Sequence, residues 1–367
     1  MIPTDLLIFG AGSYARKLAK AFQAEGHKIH AFVSSRTPAS ACIDDLPCYS
    51  CSSLPSGLRS VGPIACGVFN RGDAYHGLSA ILNDNGFHDI IWPWNYYPEL
   101  HQQLGWSYWM DAKPRDLQSW QLDPGYQEVM KLLSDDESRT IIDRVIAFRC
   151  GADLEFSAFK SDEEQYFNDL TLQALPKDRP INYLDVGAFN GDTLEHLCAK
   201  ASVGMAILFE PDPINFGHLI TTTQKLTTKY PQLQPIALPL GAGSEYSCIV
   251  LEASGEASSL HAQGQTESEN VYTVTVNPLD NMMPAVQFDL VKIDVEGHDR
   301  EAILGMQAML QRAQPIVAVS LYHRPRDFVD LTLFLRQTLS DLPYKFYVRQ
   351  HLYNSFETVL YAIPERS

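Results

Sequence analysis

Short apolar runs recur along the chain, each closed by a glycine turn or an acid before a stretch with helical spacing begins. Such alternation predicts parallel strands joined by helices. The first run, Leu6 to Gly10, leads into Gly10-Ala11-Gly12-Ser13-Tyr14-Ala15 and a helix reaching about Ala24. A second strand is expected over Ile29 to Val33. Further strands fit Ile64 to Phe69 and Asp89 to Ile91, with a helix from about Tyr75 to Asn85 between them and the aromatic, proline-broken run Trp92 to Pro98 closing the segment. Residues 1–105 therefore read as a small Rossmann-like α/β domain. Its second strand ends in Ser34, Ser35 and Arg36, where an NAD-binding fold places an acid, which weakens the NAD reading. Gly10 and Gly12 then either take another nucleotide or sugar nucleotide, or serve only positioning or dimerisation.

Residues 106–180 are charged and helix-rich and read as a bridge. Ser134-Asp135-Asp136-Glu137 fits a capping box that starts a helix through about Phe148, and a second helix fits Glu163 to Ala174. From residue 181 the strand-helix alternation returns, with strands expected over Ile181 to Val186, Ala206 to Glu210, Gln234 to Leu238, Phe288 to Val295 and Ile316 to Leu321. Two final strands, Lys345 to Gln350 and Thr358 to Ile363, form a hairpin, so residues 181–367 imply a mainly parallel sheet with an antiparallel finish. A dehydrogenase sheet has no need of that hairpin, whereas the common S-adenosylmethionine methyltransferase sheet ends in one. The insertion Ser247 to Pro278, with strands at Cys248 to Leu251 and Val271 to Val276, is a candidate cover over the site.

The densest chemistry lies in Leu184 to Thr193, LDVGAFNGDT. Gly187 and Gly191 let bare backbone approach a ligand, Asp185 can accept an ammonium directly or through water, and Phe189, Asn190, Asp192 and Thr193 lie where the helix begins. One of the last three can equally be only an N-cap. Glu210 ends the next strand, where an acid can accept both ribose hydroxyls. Asp294 closes the fourth strand of this segment, with Glu296 and His298 just beyond, and His323 follows the fifth strand on the same edge. Asp294, His298 and His323 are the candidate catalytic groups for removing a hydroxyl proton. Asp294, His298 or Glu296, and His323 could also hold magnesium or manganese, although the spacing is not diagnostic and no metal is predicted. Tyr166-Phe167 would either wall the pocket or pack helix against sheet.

Composition narrows the partners. At 367 residues the chain exceeds one ordinary core, and its formal charge of -16 argues against nucleic acid or anionic membrane, leaving a small molecule. No run has transmembrane length and no signal peptide is recognisable, so a cytoplasmic protein is expected. Seven cysteines point to reduced thiols. Cys48 and Cys51, with Cys42 and Cys66 nearby, raise a structural zinc, but a second paired spacing is missing.

In order along the chain, Asp135-Asp136-Glu137-Ser138, the Arg149 region, Gln165-Tyr166-Phe167, LDVGAFNGDT, FEPDP from Phe209, VKIDVEGHDREAILG from Val291, SLYHR from Ser320 and FETVLYAIP from Phe356 resemble the FkbM-type methyltransferases. Several members of that family also look as if they carry an N-terminal domain similar to residues 1–105. The resemblance implies S-adenosylmethionine-dependent methyl transfer to an oxygen of a sugar, sugar nucleotide or natural product, with Asp185, Gly187, Gly191, Glu210 and Asp294 at the methyl donor. A carbohydrate-like small-molecule acceptor is expected, and a homo-oligomer is compatible with this reading. The polar stretch Gly255 to Asn270 departs from the family and leaves adenine contacts beyond Glu210 unassigned. Two other readings stand beside it: a nucleotide-linked oxidoreductase or epimerase using Gly10 to Ala15, and a non-catalytic binding protein.

Overall fold

The computed structural model describes residues 2–69, 74–155, 160–252, 259–261, 271–339 and 342–365. Two compact units emerge. The first comprises residues 1–123, 140–160 and 352–356, and the second residues 124–139, 161–351 and 357–367, so segment 106–180 is divided between them.

In the first unit, strands β1 (Asp5–Phe9), β2 (Lys28–Ser34), β3 (Cys42–Ile43), β4 (Leu46–Ser50), β5 (Ile64–Cys66) and β6 (Ile90–Ile91) form a sheet of order β3-β4-β2-β1-β5-β6. All pairings are parallel except β3 with β4. β1 is apolar along nearly its whole length because both faces are covered, as by Leu18 and Phe22 of the helix Ser13–Ala24. β5 stops three residues short of the expected Phe69. At Gly67 the chain turns under that helix, where a Cβ would stand 2.9 Å from Ala15 Cα. The proline-broken run from Trp92 is mostly helical. Pro93 opens the helix Pro93–Leu104, and the Asn95 side chain accepts the Trp92 N–H at 3.0 Å.

The second unit contains β7 (Ile181–Val186), β8 (Val203–Phe209), β9 (Gln234–Leu238), β10 (Gly241–Ala242), β11 (Ser247–Glu252), β12 (Ser259–His261), β13 (Val271–Asn277), β14 (Leu290–Ile293), β15 (Ile316–Ser320), β16 (Tyr344–Gln350) and β17 (Thr358–Pro364). Its main sheet has the order β16-β17-β15-β14-β7-β8-β9. β17 runs antiparallel to both neighbours, as the terminal hairpin requires. The insertion forms a second sheet, β10-β13-β11-β12. Residues 255–258 and 262–270 of the polar stretch lie outside the described residues.

Two helix starts differ from expectation. Ser134 is not the cap of the helix Asp136–Arg149, because its hydroxyl accepts the Phe346 N–H at 3.0 Å. Asp135 caps it instead, accepting the Ser138 N–H at 2.8 Å. The helix expected from Glu163 covers only Asp169–Ala174, capped by Asn168, because Tyr166 takes a left-handed backbone (φ 65) and its N–H donates to the Tyr361 hydroxyl at 2.9 Å.

Candidate active site

β7 and β14 are neighbours where the strand order of the main sheet reverses, and Asp185 stands in register with Lys292. Their side chains therefore share a face. Lys292 Nζ lies 3.1 Å from Asp185 Oδ1, Tyr183 donates to Asp185 Oδ2 at 2.9 Å, and Lys292 also donates to the Gly187 carbonyl. Both charges are buried, Lys292 being only 3% exposed. Burial pushes the Asp185 carboxyl up against the pull of Lys292. Burial acts downward on Lys292, but the charges of Asp185 and Asp294 outweigh it and hold the ammonium protonated.

The turn after β7 needs its glycines. Gly187 has φ 91, and a Cβ there would stand 1.9 Å from the Asp294 carbonyl oxygen, so the missing side chain admits the end of β14. Gly191 (φ 86) is the N-cap of the helix Asp192–Lys200, with Asp192 exposed just inside it. The Asn190 side chain accepts the Asp192 N–H at 3.0 Å, and Asp192 accepts the Thr193 N–H at 2.7 Å. Phe189, at φ 49, contributes its backbone. Its N–H donates to Glu210 Oε2 at 2.8 Å, while the Asp212 N–H donates to Oε1 at 2.8 Å. Glu210 follows β8, is 6% exposed, and burial pushes its carboxyl up to about 7 despite those two backbone donors.

Asp294 follows β14 directly and keeps 19% of its side chain exposed. Its Oδ2 accepts from the Tyr166 hydroxyl at 2.8 Å, and that hydroxyl also lies 3.1 Å from Ser320 Oγ. Its Oδ1 accepts from Tyr322 at 3.4 Å and lies 3.1 Å from His323 Nε2. His323 is fully buried, with Nδ1 3.0 Å from Asp299 Oδ2 and Nε2 3.7 Å from Glu296 Oε2. Burial disfavours a charged His323, but Asp299, Asp294 and Glu296 outweigh it and hold the ring as imidazolium. Burial likewise raises the Asp294 carboxyl, and the His323 hydrogen bond with the Lys292 and His323 charges brings it below the usual carboxylate range. Asp299 fixes the loop as well, accepting the Val295 and Gly297 N–H groups at 3.2 Å each. Glu296 and Gly297 make that turn with φ 50 and φ 90, and His298 is half-buried at the N-cap of the helix Asp299–Gly305.

Asp294, His323 and Glu296 thus meet at one strand edge, and the Tyr166 hydroxyl joins them. Phe167 instead packs edge-on to Tyr183, with ring centroids 6.3 Å apart. Lys292 and Asp299 were not anticipated. A lysine inside the apolar run Val291 to Ile293 was the available signal for the first, whereas Asp299 reads as an ordinary acid in a helix's first turn. The set weighed for a metal, Asp294, His298 or Glu296, and His323, differs from the one group of three buried ligand-type side chains among the described residues, Asp299, His323 and Asp327. Within it, Asp299 Oδ2 lies 3.0 Å from His323 Nδ1, and Asp327 accepts the Arg324 N–H at 2.7 Å. The seven cysteines are free thiols, with Cys48, Cys51 and Cys66 buried.

A crystal structure of methyltransferase FkbM from Methylobacillus flagellatus KT is similar to this chain at 20% identity, covering 98% of this chain and 90% of that one with a TM-score of 0.73. At that identity the likeness shows the fold. Structures of an rRNA methylase from Streptococcus thermophilus (11% identity, 54% of this chain and 93% of that one, TM-score 0.35) and of spermidine synthase from Thermotoga maritima (14%, 53% and 55%, TM-score 0.30) match more loosely and carry no argument. No curated protein matches the chain. Residues 185–346, from the paired Asp185 to the final hairpin, match the family model of the methyltransferase FkbM domain.

Proposed function

We propose that the second unit is an S-adenosylmethionine-dependent O-methyltransferase acting on a hydroxyl of a sugar, sugar nucleotide or natural product. The observation that carries this reading is that Glu210 follows β8 and Asp294 follows β14, the two strands that flank β7 and its glycine turn. The donor set fits the methyl donor. Glu210 is held by two backbone N–H groups and keeps lone pairs on both oxygens for a ribose diol. Asp294, ionised and partly exposed, suits a cationic group. Gly187 and Gly191 with Asn190, Asp192 and Thr193 would border the amino acid portion, and Asp185 acts through Lys292, which fixes the Gly187 carbonyl. When bound, S-adenosylmethionine supplies an activated methyl group on a sulfonium.

Alignment of the acceptor hydroxyl supplies most of the barrier reduction. Asp294 accepts that hydroxyl's hydrogen bond, and Tyr166 and His323 aim the carboxylate from opposite oxygens. Fully buried between Asp299 and Asp294, His323 is a positioning residue. Asp294 and His298, the latter half-buried at the next helix start, are the candidates to take the acceptor's proton. Isothermal titration tests the donor site: S-adenosylmethionine should bind, and Glu210→Ala should weaken it at least about tenfold, or about 1.4 kcal/mol. Absence of binding, or indifference to Glu210→Ala, sinks the reading. A panel of sugars and sugar nucleotides, followed by mass spectrometry for an added methyl group, tests the acceptor class.

A further inference from the structure

We propose that the first unit binds a nucleotide bearing a phosphate ester on its ribose, in the crevice where β1 and β5 end. The sheet order β4-β2-β1-β5-β6 reverses between these strands, which is where open α/β sheets take ligands. The turn after β1 divides its labour by residue. Gly10, at φ 112, makes the turn, with the Gly67 carbonyl 3.2 Å from where its Cβ would be. Ala15 is small because Gly67 packs against it. Gly12 is different: its φ of -80 suits any residue, and a Cβ there would meet nothing within 4 Å. No packing among the described residues asks for glycine at position 12, and an N-cap there takes serine or aspartate as readily, whereas close approach of a diphosphate to bare backbone calls for glycine.

Gly12 also starts the 12-residue helix Ser13–Ala24 without a side-chain cap, which leaves the first backbone N–H groups open to an anion. A second, independent feature lies beside Cys66, the last residue of β5. Tyr75 is fully buried and its hydroxyl has no hydrogen-bond partner among the described residues, although Tyr14 and Cys66 act on it electrostatically. Its neighbour Tyr96 is satisfied, donating to the Cys66 carbonyl at 2.9 Å. A buried hydroxyl that the protein leaves unmet is an unusual feature that a ligand's polar group would satisfy.

The end of β2 selects the ligand. The Gly10 N–H donates to the Val33 carbonyl at 2.8 Å, so Ser34, Ser35 and Arg36 follow directly beside the turn. Arg36 is exposed, with its backbone N–H on Ser34 Oγ at 3.3 Å, while Asp44 is paired with Arg16 at 2.9 Å. An acid after β2 would accept two ribose hydroxyls; a guanidinium with two serines fits a ribose phosphate.

Titration of the full chain with NADPH, NADH and 2′,5′-ADP tests this. NADPH and 2′,5′-ADP should bind saturably, NADH at least about tenfold more weakly, and Arg36→Ala should erase that difference. Gly12→Val should keep the wild-type unfolding profile and its S-adenosylmethionine binding, yet weaken NADPH at least about tenfold. Glu210→Ala should do the reverse, so failure here and failure of the methyltransferase reading are separable. The proposal is overturned if neither NADPH nor 2′,5′-ADP binds, if NADH binds equally, or if folded Gly12→Val binds NADPH like the wild type.

Discussion

Two glycine turns, after β1 and after β7, follow the first strands of two parallel sheets in one chain and make different demands on their surroundings. At Gly187 the glycine is required by the protein itself, since the Asp294 carbonyl occupies the place of a Cβ. At Gly12 no described residue lies within 4 Å of where a Cβ would stand. The charges differ as sharply. The second turn lies among Glu210, Asp294 and the buried pair Asp185–Lys292, whereas the first is followed by Ser34, Ser35 and Arg36 at the end of its neighbouring strand. A glycine turn on a parallel sheet thus tells where a nucleotide's backbone contacts lie, and the residue closing the adjacent strand tells which nucleotide.

The largest effect that would sharpen this contrast comes from the buried pair. Lys292→Met leaves the buried Asp185 carboxylate without its cationic partner and should cost about 3–5 kcal/mol of unfolding free energy. Lys292→Met with Asp185→Asn removes both charges and should recover most of that loss. Arg36→Ala, at the other turn, removes an exposed charge and should stay within about 0.5 kcal/mol. Urea unfolding of the three proteins decides it; equal losses for Lys292→Met and Arg36→Ala would erase the distinction. Next in size is the glycine pair itself. Gly187→Ala combines a left-handed backbone with a collision against a carbonyl and should cost about 2–4 kcal/mol. Gly12→Ala should leave the melting temperature unchanged, and a comparable loss there would mean that the crevice is packed shut.

Much of this was readable in the residues. The parallel strands announced themselves as apolar runs because both of their faces are covered, and Glu210 stood out because such a run ended in an acid. The rest depends on partners far apart in sequence. Lys292 looks like a stray polar residue until β14 is laid in register against β7 and Asp185 is found opposite. His323 reads as a base, and its enclosure by Asp299 and Asp294 appears only once the strands are in place. Tyr166 reads as part of a helix, yet its left-handed backbone brings the hydroxyl to Asp294, a contact set by the Tyr361 hydrogen bond rather than by local propensity.

The smallest effect is a pH dependence confined to the second turn. Burial raises the Glu210 carboxyl to about 7 in the folded protein, against about 4.3 for an unfolded glutamate. A folded-state pKa above the unfolded one contributes stability that is complete below about pH 4.3 and lost as pH rises through about 7, because the folded protein holds the proton more tightly. Ligand binding runs the other way if the carboxylate accepts the ribose hydroxyls, so S-adenosylmethionine affinity should rise with pH over the window around 7 where stability falls. Glu210→Gln cannot titrate and should flatten both curves relative to the wild type. Denaturant midpoints and titration calorimetry at matched pH values measure the two trends. A wild type whose affinity ignores pH between 6 and 8 would place Glu210 outside the ribose contact, and the acid that separates this turn from the one at Gly10 would then be a structural acid bonded only to Phe189 and Asp212.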